Sequence, residues 1–367
     1  MQRGREGDGA RRLGVEGVAF GVSEASEWAS QSEAYASPAL ACRIVTSDRP
    51  PANSSLSVPE GFSLHFRVFA TRATPMFKDF QPFTVSVDDT DIFGVVGGNG
   101  PPLLLLHGYP QTHVMWHKVA PGLAEHFTVV ATDLRGYGRS SKPTPRPDYA
   151  NYSKRTMAAD MVGVMNHLGF DRFGILAHDR GARVAHRMAM DAPDVVRQML
   201  LLDIAPTREM YANADQAFAR AYWHWFFLIQ PAPMPERMIG VDPRAFWLDK
   251  CGAGSAGLTP FTPAALEAYL TAFNDPLAIS ASCADYRAAA TIDLEHDDED
   301  RGRTVTCPVR VLWGDRGVIE ANFDCLALWR QRADHVDGGA LPGGHYLAEE
   351  LPDEVLLEAI DFFSQDA

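Results

Sequence analysis

Apolar residues fall in short runs separated by amphipathic stretches over most of the chain. Phe83 to Val87 alternates with polar residues, and Ile92-Phe-Gly-Val-Val96 follows after a polar break; together they predict a strand hairpin. Behind Pro101-Pro102 stands the all-apolar run Leu103 to Leu106, the pattern of a strand covered on both faces. Val114 to Ala124 reads as an amphipathic segment, Phe127 to Ala131 as another strand, and Thr156 to Leu168 as a helix. Phe173 to Ala177 is a further buried run, and after Gly181 the spacing of Val184, Ala185, Met188 and Ala189 predicts a helix. Strands follow at Val196 to Leu202 and at Val309 up to Asp315, then one ahead of Gly343-Gly344-His345. An amphipathic helix closes the chain from Asp353 to Phe363. Such alternation predicts an α/β fold, a mostly parallel sheet flanked by helices.

Two stretches break the pattern. Residues 1–75 are rich in Gly, Arg, Ser, Glu and Ala with weak apolar periodicity. They read as a disordered extension, or as a translation start placed too far upstream of Met76. Residues 206–299 are rich in aromatics and proline, as in Tyr222-Trp-His-Trp-Phe-Phe and Gln230-Pro-Ala-Pro-Met-Pro, without any buried-strand run. They predict a helical cap inserted between two strands, leaving 76–205 and 300–367 as the core. The acidic run Glu295 to Asp300 is expected to be a solvated loop where the cap ends.

Composition narrows the possibilities. With 367 residues, 46% hydrophobic and 22% charged, the chain can bury a sizeable core. A net charge of −14 argues against nucleic acid or an anionic membrane as partner, and it means that an anionic substrate must be drawn by local positive charge. Five scattered cysteines without a C-x-x-C fit reduced thiols rather than a disulfide framework or a zinc site. No apolar run reaches membrane-spanning length and no signal-peptide core stands at the N-terminus, so a cytoplasmic protein is expected.

The chemistry concentrates at Ala177-His178-Asp179-Arg180-Gly181, between a buried strand and a helix. Small residues two positions either side of Asp179 form the small-x-nucleophile-x-small pattern of a nucleophile elbow, with Asp in place of the usual Ser. Arg180 and Arg183 are three apart and share a helix face, although the first turn of a helix disfavours cations. Two surface arginines are the bland alternative. Their place beside an exposed nucleophile favours instead a bidentate grip on a small carboxylate. A strand-end acid and His345, in a turn after the last strand, complete the order Asp…Asp…His of an α/β-hydrolase. His107 and His178 fit structural hydrogen bonding better than catalysis. The spacing of His107, His113 and His117 suggests a metal, but no ligand set accompanies it, so none is expected.

Several further motifs join these: His107-Gly-Tyr-Pro-Gln-Thr, Asp133-Leu-Arg-Gly-Tyr-Gly, His178-Asp-Arg-Gly-Ala-Arg183, Trp223-His-Trp-Phe-Phe-Leu-Ile-Gln-Pro-Ala-Pro, Asp285-Tyr-Arg and Gly344-His345. From about residue 76 to the C-terminus the chain resembles the fluoroacetate (haloacetate) dehalogenases. The glycine motifs are shared across the superfamily, whereas the Asp-Arg-x-x-Arg elbow with the Trp-His-Trp motif is much more specific. The resemblance implies hydrolysis of fluoroacetate or chloroacetate to glycolate and halide, without metal or organic cofactor, by a homodimer. Asp179 would be the nucleophile, Arg180 and Arg183 would grip the substrate carboxylate, and His345 would activate water. His224, Trp225 and Tyr286 would surround the halide, and the backbone N–H groups of Tyr109 and Arg180 would form the oxyanion hole. For the acid that orients His345 the resemblance favours Asp203, with Asp315, at the next strand end, as runner-up; the sequence does not decide. Haloalkane dehalogenases and epoxide hydrolases of this fold typically carry Trp after the nucleophile, so Arg180 points to an acid substrate. They remain the alternatives, with a non-catalytic small-acid-binding protein of the same fold.

Overall fold

The computed structural model describes residues 76–365, so the expectation for residues 1–75 lies outside the described residues. Eight strands form one sheet in the order β1-β2-β4-β3-β5-β6-β7-β8. They are β1 (Gln81–Val87), β2 (Thr90–Gly97), β3 (Pro102–Leu106), β4 (Thr128–Thr132), β5 (Phe173–His178), β6 (Val196–Leu202), β7 (Val309–Gly314) and β8 (Val336–Leu341). The β1–β2 hairpin is antiparallel and joins the sheet antiparallel to β4, while β4 through β8 in sheet order run parallel. Sandwiched parallel strands must be apolar throughout, and Leu103 to Leu106 and all of β5 are buried accordingly.

Helices cover the sheet: α1 (Ala120–Leu123), α2 (Lys154–His167) and α3 (Asp179–Asp191) on the way to β6. Eight more run between β6 and β7. They are α4 (Thr207–Ala212), α5 (Gln216–Ala221), α6 (Trp223–Leu228), α7 (Met234–Ile239), α8 (Pro243–Gly252), α9 (Pro263–Phe273), α10 (Pro276–Ala289) and α11 (Ile292–Glu299). The last four are α12 (Val318–Asn322), α13 (Cys325–Trp329), α14 (Leu347–Glu350) and α15 (Pro352–Ser364). Proline stands in the first turn of α7, α8, α9 and α10, where its missing N–H costs nothing, which is why a proline-rich stretch folds as short helices. No helix among the described residues is long and apolar enough to cross a membrane.

The amphipathic segment at 114–124 folds as a 3-10 turn at His113–Trp116 followed by α1, each of four residues, with Pro121 in the first turn of α1. A proline inside a continuous helix would remove a hydrogen bond and clash with the preceding turn. The acidic run Glu295 to Asp300 is not a solvated loop: it ends α11, with Asp297 and Asp300 bound to Arg187 of α3 at 2.8 and 2.5 Å. The cause lies in α3, which is buried along its whole length up to Met190 although it carries Arg180, Arg183 and Arg187. Buried guanidiniums need partners, and the inserted helices supply many of them.

Candidate active site

The parallel register sets the site. Leu106 of β3 pairs with Ala177 of β5, His178 with Leu202 of β6, and Leu202 with Leu312 of β7. The carboxyl ends of these strands therefore lie together on one edge of the sheet, where open α/β sheets bind their ligands. Asp179 begins α3 with φ of 46°, a left-handed conformation that costs a non-glycine residue about 1–3 kcal/mol. The turn is tight. A Cβ on Gly181 would lie 2.6 Å from the carbonyl oxygens of both Leu106 and His107, and one on Gly108 would lie 2.6 Å from Asp179 Cβ. Glycine at both positions lets the two loops approach closely enough for the Tyr109 N–H to donate to Asp179 Oδ1 at 2.9 Å. The Arg180 N–H, in the first turn of α3, has no intrahelical acceptor.

Asp179 is 4% exposed. Burial alone would raise its carboxyl pKa, but the charges of His345, His178, Arg183 and Arg180 outweigh that and hold it well below the usual carboxylate range. It is therefore ionised at neutral pH. His345 stands beside it: its Nδ1 meets Asp203 Oδ2 at 2.5 Å, and its carbonyl accepts from His178 Nε2 at 2.8 Å. With its proton on Nδ1, facing Asp203, the imidazole leaves Nε2 free as a base. Asp203 follows β6 directly, with φ of 50°, and its Oδ1 also accepts from the Gly314 N–H at 3.1 Å. Asp315 has no part in this arrangement: its side chain is 49% exposed and lies 3.8 Å from Arg316. The Asp203 N–H bonds the Leu312 carbonyl, so Asp315 stands about two strand residues, roughly 7 Å, beyond that level.

Both elbow arginines are buried, and each is held by some donors while one stays without a partner. Arg180 Nε and Nη2 bind the Asp285 carboxylate at 3.0 and 2.5 Å, and Nη1 has none. Arg183 Nη1 donates to the Ala205 carbonyl and Thr207 Oγ1 at 3.1 and 2.7 Å, and its Nε has none. Around them His224, Trp225 and Tyr286 come together. His224 stacks on Tyr109 at 6.2 Å and lies edge-on to Tyr286 at 5.9 Å, with Trp225 6.4 Å from Tyr286. The Arg183 guanidinium sits 4.7 Å from the Trp225 ring centre, and the Trp225 indole N–H is buried without a partner. Burial, helped by Lys250, keeps His224 well below its ordinary pKa, and burial pushes the Tyr286 phenol up. Both are thus neutral donors at pH 7.

The other histidines are engaged elsewhere. His107 Nδ1 donates to the Gly108 carbonyl at 3.0 Å and its Nε2 accepts from the Leu134 N–H. His113 meets Asp133 at 2.8 Å and His117 the Val114 carbonyl at 2.9 Å. No group of three or more His, Cys, Asp or Glu among the described residues is arranged to hold a metal ion.

Sequence reasoning gave Asp285 no role, and it did not find Tyr222, whose ring lies 5.2 Å from His224 and 6.2 Å from His345. A signal for Asp285 existed: three arginines on one buried helix demand acids from elsewhere. None pointed to Lys154, whose Nζ binds Asp285 Oδ1.

Residues 101–246 match the family model described as the alpha/beta hydrolase fold. A fluoroacetate dehalogenase from Burkholderia sp. is 49% identical over 291 residues, covering 79% of this chain and 95% of the relative. A soluble epoxide hydrolase from Corynebacterium sp. (strain C12) is 32% identical, covering 74% of this chain and 92% of the relative. A solved α/β-hydrolase from Nostoc sp. PCC 7120 is 53% identical with a TM-score of 0.76, covering 78% of this chain and 99% of that one.

Proposed function

The chain belongs to the fluoroacetate (haloacetate) dehalogenase family of the α/β-hydrolases, and on that premise we propose a haloacetate as its substrate. It is a hydrolase acting on carbon–halide bonds. Displacement at an sp³ carbon needs a nucleophile that works without first losing a proton, and an ionised Asp179 meets that need. Its carboxylate attacks the carbon in line, the carbon–halogen electron pair leaves as halide, and an ester forms on Asp179. His345 then takes a proton from water, whose oxygen adds to the ester carbonyl. The tetrahedral intermediate collapses, and the His345 imidazolium returns its proton to the departing alkoxide oxygen. Glycolate leaves, and the new Asp179 carboxyl releases the remaining proton to water, which restores the carboxylate.

The substrate carboxylate is assigned to the unpartnered donors of Arg180 and Arg183, which turn binding into alignment of the carbon on Asp179. The departing halide is assigned to the His224 imidazole, the Trp225 indole N–H and the Tyr286 O–H, neutral donors suited to a poor leaving group. The tetrahedral oxyanion is assigned to the N–H groups of Tyr109 and Arg180. The first already touches Asp179 Oδ1, and one such donor is worth about 3 kcal/mol in the transition state. Asp203 orients His345 and stabilises the imidazolium. The same reading carries a cytoplasmic homodimer, whose assembly light scattering of the purified chain checks.

The observation that supports this reading most is the buried elbow carboxylate beside two buried guanidiniums, each with an N–H that no atom of the described residues accepts. The test is halide release from fluoroacetate and chloroacetate. Asp179→Asn abolishes it, and His345→Ala accumulates an ester visible as added mass on Asp179. A His345→Ala protein that turns over normally without an adduct refutes the roles. The 32% identical relative favours a second reading, epoxide hydrolysis; turnover of a neutral epoxide in preference to haloacetate would establish it.

A further inference from the structure

Arg180 follows Asp179 directly in the chain, and an unconstrained guanidinium fork there has an unproductive partner at hand. Paired bidentately with the nucleophile, it would quench it. Its fork is occupied from the other side. Asp285, on α10 and 105 residues away, accepts Nε on Oδ2 at 3.0 Å and Nη2 on Oδ1 at 2.5 Å, and its carbonyl accepts Nη2 at 2.9 Å. The guanidinium carbon lies 4.2 Å from the centre of the neighbouring Tyr286 ring. Asp285 is itself fixed: Lys154 Nζ binds Oδ1, and Tyr137 donates its O–H to Oδ2 at 2.7 Å. What remains of Arg180 is Nη1, in a side chain with no exposure and with no partner. A purely structural ion pair gives no reason to leave a buried donor orphaned, an arrangement that costs about 1–3 kcal/mol unless a ligand accepts it.

We propose that Asp285 is a positioning residue: by taking the Nε–Nη2 edge of Arg180 it presents Nη1 alone to the substrate carboxylate and keeps the nucleophile unpaired. The assignment rests on the haloacetate reading. Because Asp285 belongs to the inserted helices and Arg180 to the sheet-covering α3, the grip is complete only with the two elements seated together.

The test uses the full chain in a His345→Ala background, where the Asp179 ester accumulates, and follows adduct mass against chloroacetate concentration. Asp285→Asn alone strands two buried cations, so it is combined with Lys154→Met, and thermal unfolding checks the fold. The concentration needed for half-maximal adduct formation is expected to rise at least ~10-fold, the loss of one charge-assisted hydrogen bond. Tyr137→Phe, which removes one bond to Asp285 without stranding a charge, moves it the same way by about threefold; it stands in if the first variant does not fold, and an unchanged half-saturation in it then overturns the proposal. A folded Asp285→Asn/Lys154→Met variant whose half-saturation stays within about threefold of the parent overturns the proposal, whether or not its maximal rate has fallen, because a merely structural defect lowers that rate alone. Failure of the His345→Ala parent to form any adduct overturns the haloacetate reading itself, and this assignment with it.

Discussion

Asp203→Asn separates the two halves of the proposed reaction. In the protein Asp203 Oδ2 lies 2.5 Å from His345 Nδ1, and Oδ1 accepts the Gly314 N–H at 3.1 Å. An asparagine keeps its carbonyl on Gly314 and turns its amide N–H₂ toward the imidazole. His345 Nδ1 must then accept, the ring proton moves to Nε2, and the base is lost. The imidazolium formed in the second step also loses its counter-charge, worth about 4 kcal/mol for a close pair at an effective dielectric near 20. Ester hydrolysis should slow about 10²-fold or more, while displacement by Asp179, which transfers no proton, changes by less than about threefold. Rapid-quench measurement of halide should show one burst per site followed by a slow steady state, with the ester mass present throughout. Asp315→Asn, at a half-exposed carboxylate away from His345, should leave both steps within about twofold. Loss of turnover from Asp315→Asn, or an Asp203→Asn protein without burst or adduct, refutes the reasoning.

Other expectations follow from packing and charge. Gly108→Ala puts a methyl 2.6 Å from Asp179 Cβ and 2.8 Å from His178 Nδ1; it should lower stability by about 1–3 kcal/mol in denaturant titration and cut halide release more than tenfold. Arg187→Met strands Asp297 where α11 meets α3 and leaves Asp300 with Arg303 alone, and should cost about 3 kcal/mol by the same measurement. Glu349 is buried beside Tyr269, whose O–H donates to it at 2.6 Å, and burial pushes its pKa from 4.5 up to about 7. Between those values the folded chain holds a proton that the unfolded chain has released, so stability falls as pH rises from about 5 to 7. Glu349→Gln, which cannot ionise, should flatten that part of the stability–pH profile; an unchanged slope refutes the assignment.

The elbow was legible because everything it needs is local. An apolar strand, a helix-spaced run and small residues at Ala177 and Gly181 suffice to say that Asp179 sits in a tight corner, and the close contacts at Gly181 give the reason. Alternation and buried runs likewise pointed to the parallel sheet, since a strand covered on both faces carries its burial in its own composition. What stayed hidden depends on partners distant in the chain. Two strand-end aspartates look alike in sequence, and only the β6–β7 register puts Asp203 level with His345 and Asp315 beyond it. The periodicity of 114–124 did not reveal its break into two short turns, nor did the acidity of 295–300 reveal its target, because the arginine that binds it lies about 110 residues earlier. Sequence by itself marked Asp179, Arg180, Arg183 and His345 as candidates through turn pattern and side-chain type, while His224, Trp225, Tyr286 and Asp203 came from the family resemblance. Tertiary structure decided which carboxylate faces which cation, because buried charges find partners through the fold rather than along the chain.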